Sequence, residues 1–154
     1  MSSFAIQRIE ASQIESATRM WRRSRDEVQP ELEARAGYSA EDDLAYFANV
    51  LVKTNEVWLA VRDDSPIGLL SLDGNSIGHL YVDPSEQGRG IGSSLMDFAK
   101  QTSPKRLELF THVSNTRARN FYESRGFRAV AFGISPPPES EPDVKYVWDG
   151  KPRQ

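Results

Sequence analysis

Residues 80–99 read LYVDPSEQGRGIGSSLMDFA, a pattern typical of a strand end followed by a glycine-rich loop and an amphipathic helix. Gly88, Gly90 and Gly92 alternate in the loop, which lets backbone N–H groups converge on one point. The N-terminus of the following helix adds free amides and the positive end of its dipole. With the positive charge of Arg89, the segment predicts a site for a phosphate or pyrophosphate group.

Two known phosphate loops do not fit this segment. A P-loop requires GxxxxGK[ST], whereas Gly92 is followed by Ser93 and Ser94. A dinucleotide fingerprint requires GxGxxG, and Ser93 stands where its third glycine should be. Glu108 is suitably spaced for a ribose contact, but it falls in a predicted strand and too little chain remains for a doubly wound sheet. A nucleotide-binding regulator and a tight turn without ligand remain as alternatives.

The chain upstream of the loop predicts an opening strand, two helices and a three-stranded meander. Ser12 with Glu15 three residues later forms a capping-box pattern, which predicts the start of the first helix. Ser39 before an acidic run predicts the start of the second, after an interval marked by Pro30 and Gly37. The predicted strands are residues 4–9, 57–61, 67–72 and 77–82.

Downstream of the loop, helix and strand signals alternate, and Gly126 is typical of a residue that ends a helix. The predicted elements are helices at 93–101 and 115–125 and strands at 107–113, 127–134 and 144–148. Because no repeat, long linker or low-complexity tract interrupts the chain, we predict one domain at residues 4–148 and a C-terminal tail at 149–154.

Composition excludes several kinds of chemistry. The 154 residues contain no cysteine, which rules out a disulfide framework, a zinc site made of thiolates and a cysteine nucleophile. With only two histidines, a catalytic metal site has little support, and we predict none. A net charge of −3 argues against a dedicated nucleic-acid binder. No signal peptide or membrane span is recognisable, so we expect a cytoplasmic protein without a membrane partner.

Two stretches of the sequence resemble motifs of the GNAT N-acetyltransferase superfamily. Residues 80–99 resemble its acyl-CoA-binding motif, whose core [QR]xxGx[GA] is met by Gln87, Gly90 and Gly92. Residues 115–128, NTRARNFYESRGFR, resemble its next motif, an Asn-started helix that ends in FYE..GF. With the order of elements, the resemblance covers roughly residues 4–148. It implies a mixed α/β fold with six to seven strands and about four helices.

The resemblance also implies an acetyl-CoA-dependent N-acetyltransferase acting on a primary amine, with no metal. Because no cysteine can form an acyl-enzyme, direct transfer in a ternary complex is expected. The backbone of Leu80, Tyr81 and Val82 would pair with the pantetheine arm as an added strand, and a strand amide would polarise the thioester carbonyl. The residues expected to cradle the pyrophosphate are Gln87, Gly88, Arg89, Gly90, Ile91, Gly92 and Ser93.

The second motif carries further expected contacts. By resemblance, Asn115 and Asn120 would contact the pantetheine or adenine side, and Tyr122 would stand near the sulfur. Tyr122 lies seven positions after Asn115, on the same helix face, and its phenol can donate a proton to a departing thiolate. The alternative is that Tyr122 is simply a core aromatic beside Phe121.

The general base is left open between His79 and Asp83, because the central strand SIGHLYVD lacks the glutamate that many family members carry there. Alternation puts Ile77, His79 and Tyr81 on one face of that strand. A hydrogen-bonded structural histidine and a turn aspartate are the competing interpretations. His112, in the next strand, is interpreted as structural.

The acceptor remains unidentified from the sequence. A small-molecule amine and a peptide amine both fit, and a homodimer is an open option because dimers are common in the family. We expect the acceptor to be contacted by Trp21, Tyr38 and the acids Glu139, Glu141 and Asp143, which would suit a cationic amine. The alternative function is an acyl-CoA-binding sensor or structural domain without efficient transfer.

Overall fold

The computed structural model describes residues 3–150 and contains a seven-stranded sheet in the order β1-β2-β3-β4-β5-β7-β6. Only β4 and β5 are parallel neighbours, and all other neighbouring pairs are antiparallel. The predicted mixed α/β fold is confirmed. The strands are β1 (Ala5–Arg8), β2 (Glu56–Arg62), β3 (Ser65–Asp73), β4 (Ser76–Val82), β5 (Leu107–His112), β6 (Arg128–Ile134) and β7 (Pro142–Trp148). The tail predicted at 149–154 lies, from residue 151 onward, outside the described residues.

Six helical segments accompany the sheet, and two of them are joined by a π-helical turn, Phe47–Leu51, into one longer helix. Among residues 3–150, no helix is both long and apolar enough to cross a membrane. The segments are α1 (Ile14–Val28), α2 (Pro30–Ala36), α3 (Ala40–Tyr46), α4 (Val52–Thr54), α5 (Ile91–Thr102) and α6 (Thr116–Ser124).

Of the two helix starts predicted upstream of the loop, the one at Ser39 is confirmed and the one at Ser12 is wrong. Ser39 caps α3, since its hydroxyl accepts from the backbone N–H of Asp42 at 3.0 Å. Ser12 does not cap α1, because it lies inside a 3₁₀ turn that precedes the helix. That turn starts at Glu10, whose backbone N–H donates to the side chain of Gln13 at 2.9 Å. The predicted cap, Ser12, therefore lies two residues after the residue that caps this turn, Glu10.

The interval marked by Pro30 and Gly37 is itself a helix, α2. Pro30 occupies its first position, where a missing N–H costs nothing. Gly37 ends it with φ +70, and its N–H bonds the carbonyl of Glu33. Proline and glycine are therefore the boundaries of a helix here, although they were interpreted as an irregular interval.

Two buried clusters lie on opposite faces of the sheet. One contains Met20, Trp21 and Phe47 from α1 and the π-helical turn, packed on β2 and β3. The other contains Leu95 and Met96 from α5, together with side chains from β5, α6 and β7. The central strand β4 thus contacts α1 on one face and α5 on the other.

Candidate functional site

The parallel strands β4 and β5 are joined only where Ser76 faces Glu108, and beyond that point they separate. A cavity of about 1480 Å³ includes this gap and is lined from the glycine-rich loop at one end to α1 and α3 at the other. Single-ligand pockets are commonly about 300–1,000 Å³. The cavity is therefore large enough for two substrates that meet between the strands.

A bulge at Gly78 shapes the β4 side of the gap. In the register with β3, Ser71 faces His79 and Leu72 faces Ile77, so Gly78 is an extra residue. A Cβ at Gly78 would lie 2.9 Å from the Ser71 hydroxyl, which explains the need for glycine. Simple alternation along β4 predicts Ile77 and Tyr81 on the same face of the strand. That prediction is wrong because the extra residue reverses the faces: Ile77 lies in the α5-side cluster, whereas Tyr81 packs against the α1-side cluster.

The glycine-rich loop adopts the conformation that an anion site requires. Gly88 and Gly90 have φ values of +79 and +82, which L side chains rarely adopt. Gly90 is the N-cap of α5, so the first amides of the helix are free of intrahelical partners. Ile91 is buried beneath the loop and anchors it. The loop and helix start thus present backbone donors to the cavity.

Three arginines surround this loop, two of which the sequence analysis did not single out. Arg125 donates to the Ser93 hydroxyl and stacks on Phe121, with 3.8 Å between its guanidinium carbon and the ring centroid. Arg117 donates to the Gln87 side chain. The third, Arg89, is exposed, pairs with Glu86 at 3.4 Å and is absent from the cavity lining. A polyanionic ligand would explain Arg117 and Arg125, which border the cavity, and this charge requirement was the available signal for them.

The two asparagines of the second motif differ in position. Asn115 borders the cavity and caps α6, because its side-chain oxygen accepts from the Ala118 N–H at 3.1 Å. This bond leaves its NH₂ group for a ligand. Asn120 is exposed and is absent from the cavity lining, so the structure does not bring it to the site.

Tyr122 borders the cavity from α6 and is only 9% exposed. Its ring packs against Phe127 and Tyr146 at centroid distances of 5.8 and 6.0 Å. Burial, and secondarily the nearby Tyr81 phenol, raise the pKa of Tyr122 well above its ordinary value. The phenol therefore holds its proton at neutral pH.

His79 belongs to an aromatic wall at the opposite end of the cavity, beside Trp21 and Tyr46. Its ring meets Trp21 edge-on at 5.4 Å, and its Nδ1 lies 2.7 Å from the hydroxyl of the buried Ser71. Burial, and secondarily the charge of Arg25, lower the pKa of His79 to about 4. His79 is therefore neutral at pH 7 but a weak proton acceptor.

Asp83, the other predicted base, is held in a structural arrangement. Its carboxylate accepts from Arg23 at 2.6 Å and from the Ser85 N–H at 3.1 Å, capping a short 3₁₀ turn. Although burial raises the pKa of Asp83, the bonds from Arg23 and Ser85 lower it, and the net result lies below the ordinary value. Asp83 is also absent from the cavity lining. These observations favour a turn-anchoring role.

Charged groups line the floor and mouth of this second end. Arg25 lies over Trp21 at 4.1 Å and forms ion pairs with Glu33 and Asp43 at 2.9 and 2.8 Å. Glu139 and Asp143 border the cavity and form no ion pair within residues 3–150. The end carries an excess of carboxylates, as expected for a cationic acceptor. Tyr38 also borders the cavity, whereas Glu141 pairs with Arg35 on α2.

In the part of the chain that the structure describes, no three His, Asp or Glu side chains are grouped closely enough to hold a metal ion.

Comparison with known proteins places this geometry among acetyltransferases. Residues 53–129 match the sequence model of the acetyltransferase (GNAT) domain. Two relatives are named peptidyl-lysine N-acetyltransferase YjaB. The one from Salmonella typhimurium is 33% identical over 72% of this chain and 74% of its own length. The one from Escherichia coli is 31% identical over 82% of this chain and 83% of its own length.

A solved structure has the same fold. It is the PaiA N-acetyltransferase from Thermoplasma acidophilum in complex with coenzyme A. The superposition has a TM-score of 0.70, covers 96% of this chain and 99% of that one, and has 20% sequence identity.

Proposed function

The chain belongs to the GNAT acetyltransferase family, and from this premise we propose that it acetylates the side-chain amine of a lysine in a peptide. Family membership makes it an acetyl-CoA-dependent acetyltransferase. The observation that carries the proposal is the gap between β4 and β5, because it joins an anion cradle to an acidic acceptor end. The names of the YjaB relatives support a lysine acceptor rather than a small amine.

Acetyl-CoA binds at the end of the cavity that contains the glycine-rich loop. The amides of residues 87–93 hold the pyrophosphate, and Arg89, Arg117 and Arg125 neutralise its charge. The pantetheine arm runs along the edge of β4 at residues 80–82, which β5 has left, and pairs there as an added strand. The free NH₂ group of Asn115 contacts this arm, whereas the exposure of Asn120 weighs against the contact expected for it.

Transfer takes place directly between the two bound substrates. The amine nitrogen attacks the thioester carbonyl carbon, a C–N bond forms, and a β4 amide stabilises the negative oxygen. The C–S bond then breaks, and the leaving thiolate takes the proton of Tyr122. Tyr122 recovers a proton that the nitrogen loses, so the products are the acetylated amine and the CoA thiol.

The amine must lose its extra proton before it attacks, because a bound lysine arrives as an ammonium. Of the two bases predicted from the sequence, Asp83 is engaged by Arg23 and Ser85, and His79 is a weak proton acceptor. In this proposal Asp83 anchors the turn before the loop. His79 contributes to the wall that receives the aliphatic part of the lysine.

The carboxylates at the mouth of the acceptor end attract the cationic acceptor. Arg25 is balanced by Glu33 and Asp43, so Glu139 and Asp143 supply the excess charge. Tyr46 is 37% exposed and offers its ring to the methylene groups of a lysine, whereas Trp21 packs behind it beneath Arg25. This combination suits a long, cationic and otherwise apolar side chain.

Three broader expectations belong to the same proposal. Residues 4–148 act as one acetyltransferase domain, and the protein works in the cytoplasm without a nucleic-acid or membrane partner. A homodimer would use β6, the edge strand of the sheet, along which every residue is exposed. Phe132 and Ile134 on this strand are 67% and 66% exposed and would be covered by the second copy.

A coupled assay tests the proposed function. The protein is titrated with acetyl-CoA in a calorimeter, and CoA thiol release is followed with lysine peptides, matched arginine peptides and small polyamines. We expect binding of acetyl-CoA and thiol release with lysine peptides only. Binding without release for any amine would favour the sensor, and release with polyamines but not peptides would refute the peptide acceptor. Tighter binding of NAD or ATP than of CoA would favour a nucleotide-binding regulator.

A further inference from the structure

His112 and Asp143 lie directly opposite each other in the antiparallel ladder of β5 and β7. Side chains at such positions are on the same face of the sheet, with Cβ atoms about 4.5–5.5 Å apart. Both residues are half-buried and both border the cavity. From the sequence, this histidine is interpreted as structural and this aspartate only as a substrate contact, because no local pattern brings the two together.

Both side chains lack the partners that half-buried polar groups normally have. The Nδ1 atom of His112 is buried without a hydrogen bond, and the Asp143 carboxylate forms neither a hydrogen bond nor an ion pair within residues 3–150. Gly133, opposite Asp143 on β6, leaves room for that carboxylate, since a Cβ there would lie 3.4 Å from its Oδ1. Unpaired groups of this kind in a native site need an explanation, such as a bound ligand or a reaction.

The position of the pair along the gap gives that explanation. His112 is the last residue of β5, beyond the point where β4 and β5 part. Ser76 of β4 faces Glu108 of β5, and His112 lies four residues after Glu108. Because Gly78 is an extra residue in β4, the residue at the same level of that strand is Tyr81, five residues after Ser76. In the proposed function the pantetheine arm lies along β4 at this level, so His112 borders the gap that receives the thioester.

The charges that face His112 are compatible with a proton-accepting role. Asp143 is directly opposite, and the Tyr81 phenol lies across the gap. Farther along the same face, Lys145 is paired with Glu108 at 3.4 Å and so contributes little net charge. His79 has a different environment, since its Nδ1 is held by Ser71 and the positive charge of Arg25 is close.

We propose that His112 accepts the proton of the acceptor ammonium, directly or through one water, and that the negative charge of Asp143, opposite it in the ladder, stabilises the imidazolium. The inference rests on the proposed function and names the base that it requires. The proton moves from nitrogen to imidazole, and the freed lone pair attacks the thioester carbon. The imidazolium then releases the proton to solvent as the product leaves, which restores neutral His112.

Two variants and a matched control test this assignment. His112→Gln is expected to lower kcat/KM for a lysine peptide about 100-fold at pH 7, the lower range for loss of a general base. Asp143→Asn should lower it about tenfold, since the aspartate acts through the histidine. The control, Glu27→Gln, changes an exposed residue of α1 outside the cavity lining and should lose less than threefold. Calorimetry should give an unchanged Kd for acetyl-CoA in all three, which shows that the proteins are folded.

The dependence on pH and on the acceptor separates a base from a structural histidine. The loss in His112→Gln should shrink as the pH approaches the amine pKa of about 10.4. It should also be smaller for a peptide that carries S-(2-aminoethyl)cysteine, whose amine is less basic than that of lysine. A loss that is equal at all pH values and for both acceptors would overturn the assignment, as would full activity of His112→Gln.

The same data keep this inference separate from the proposed function. Active wild type with an unaffected His112→Gln variant would refute only the role of His112. Wild type that binds acetyl-CoA but acetylates no amine would refute the proposed transfer, and the base role with it.

Discussion

The two ends of the cavity are built from different parts of the polypeptide. In the proposed function the acetyl-CoA end is built around the backbone of one continuous segment, residues 82–93, in which Gly88 and Gly90 have positive φ. The acceptor end consists of side chains from α1, α3, β4, β5 and the loop before β7. Backbone donors are insensitive to most substitutions, whereas each side chain of the acceptor end can change independently. The first end therefore suits an invariant cosubstrate, and the second suits a substrate that differs among related enzymes.

Tyr122 borders the cavity from α6, and its replacement should have the largest effect. Tyr122→Phe removes the proton for the leaving thiolate, so kcat should fall about 100-fold, or about 2.7 kcal/mol. Its hydroxyl acts only on the leaving thiolate, so the Kd of acetyl-CoA should stay within twofold. Single-turnover kinetics and calorimetry measure the two quantities.

The control for this variant is Tyr38→Phe, which removes a phenol from the exposed rim of the same cavity. It should leave kcat within twofold. If Tyr122→Phe kept full turnover, the acid role would be wrong and Tyr122 would be a packing residue. If it weakened acetyl-CoA binding instead, Tyr122 would belong to the acetyl-CoA end alone.

The acceptor end should also carry an acid sensitivity that the loop lacks. His79 has a pKa lowered from 6.5 to about 4 by burial and by Arg25, so between these values the unfolded chain binds a proton that the folded chain does not. Stability is therefore lost as the pH falls from 6.5 toward 4. The loss should reach about 2 kcal/mol at pH 5, from 1.36 kcal/mol per unit of pKa difference.

Urea unfolding of wild type and His79→Gln at pH 7 and pH 5 measures this loss. The groups that face His79 are Ser71, Trp21, Tyr46, Tyr81 and Arg25, and only the last is charged at these pH values. The variant should lose about 2 kcal/mol less than wild type between the two pH values. Equal losses would mean that His79 is solvated or paired in the folded protein.

The contrast between the ends also explains what could be predicted from the sequence. The glycine spacing of residues 88–92 predicted the conformation of the loop, and the NFYE string predicted the helix that brings Tyr122 to the cavity, because these features depend on local backbone geometry. The pairing of His112 with Asp143 depends on the register of two strands that are far apart in the chain. The ion pairs of Arg25 depend on how α1 packs against α2 and α3. No local pattern encodes either arrangement.

A substitution in the glycine-rich loop tests whether the acetyl-CoA end really depends on backbone. Gly90→Ala forces a side chain into a left-handed conformation, at a cost of about 1–2 kcal/mol. If the loop relaxes, its amides turn away, and the Kd of acetyl-CoA should rise about tenfold. Gly74→Ala is the matched control, because Gly74 has φ +60, equally open surroundings and a place in the hairpin before β4. It should cost similar stability with no effect on Kd, and equal effects on Kd would refute the cradle.

The smallest effect should come from a single carboxylate at the mouth of the acceptor end. Glu139 borders the cavity and has no ion-pair partner among the described residues, so Glu139→Gln removes one unit of attraction for a cationic peptide. At about 8 Å in water this attraction is worth about 0.5 kcal/mol, which predicts about a twofold rise in KM.

Glu27→Gln makes the same charge change on an exposed position of α1 that is not part of the cavity lining, and KM should not change. Because the interaction is exposed to solvent, the difference between the two variants should disappear at about 1 M salt, where the screening length is about 3 Å. Neither variant should alter the Kd of acetyl-CoA. An equal rise in both would mean that net charge steers the peptide, whereas a rise that survives high salt would mean that Glu139 contacts the substrate directly.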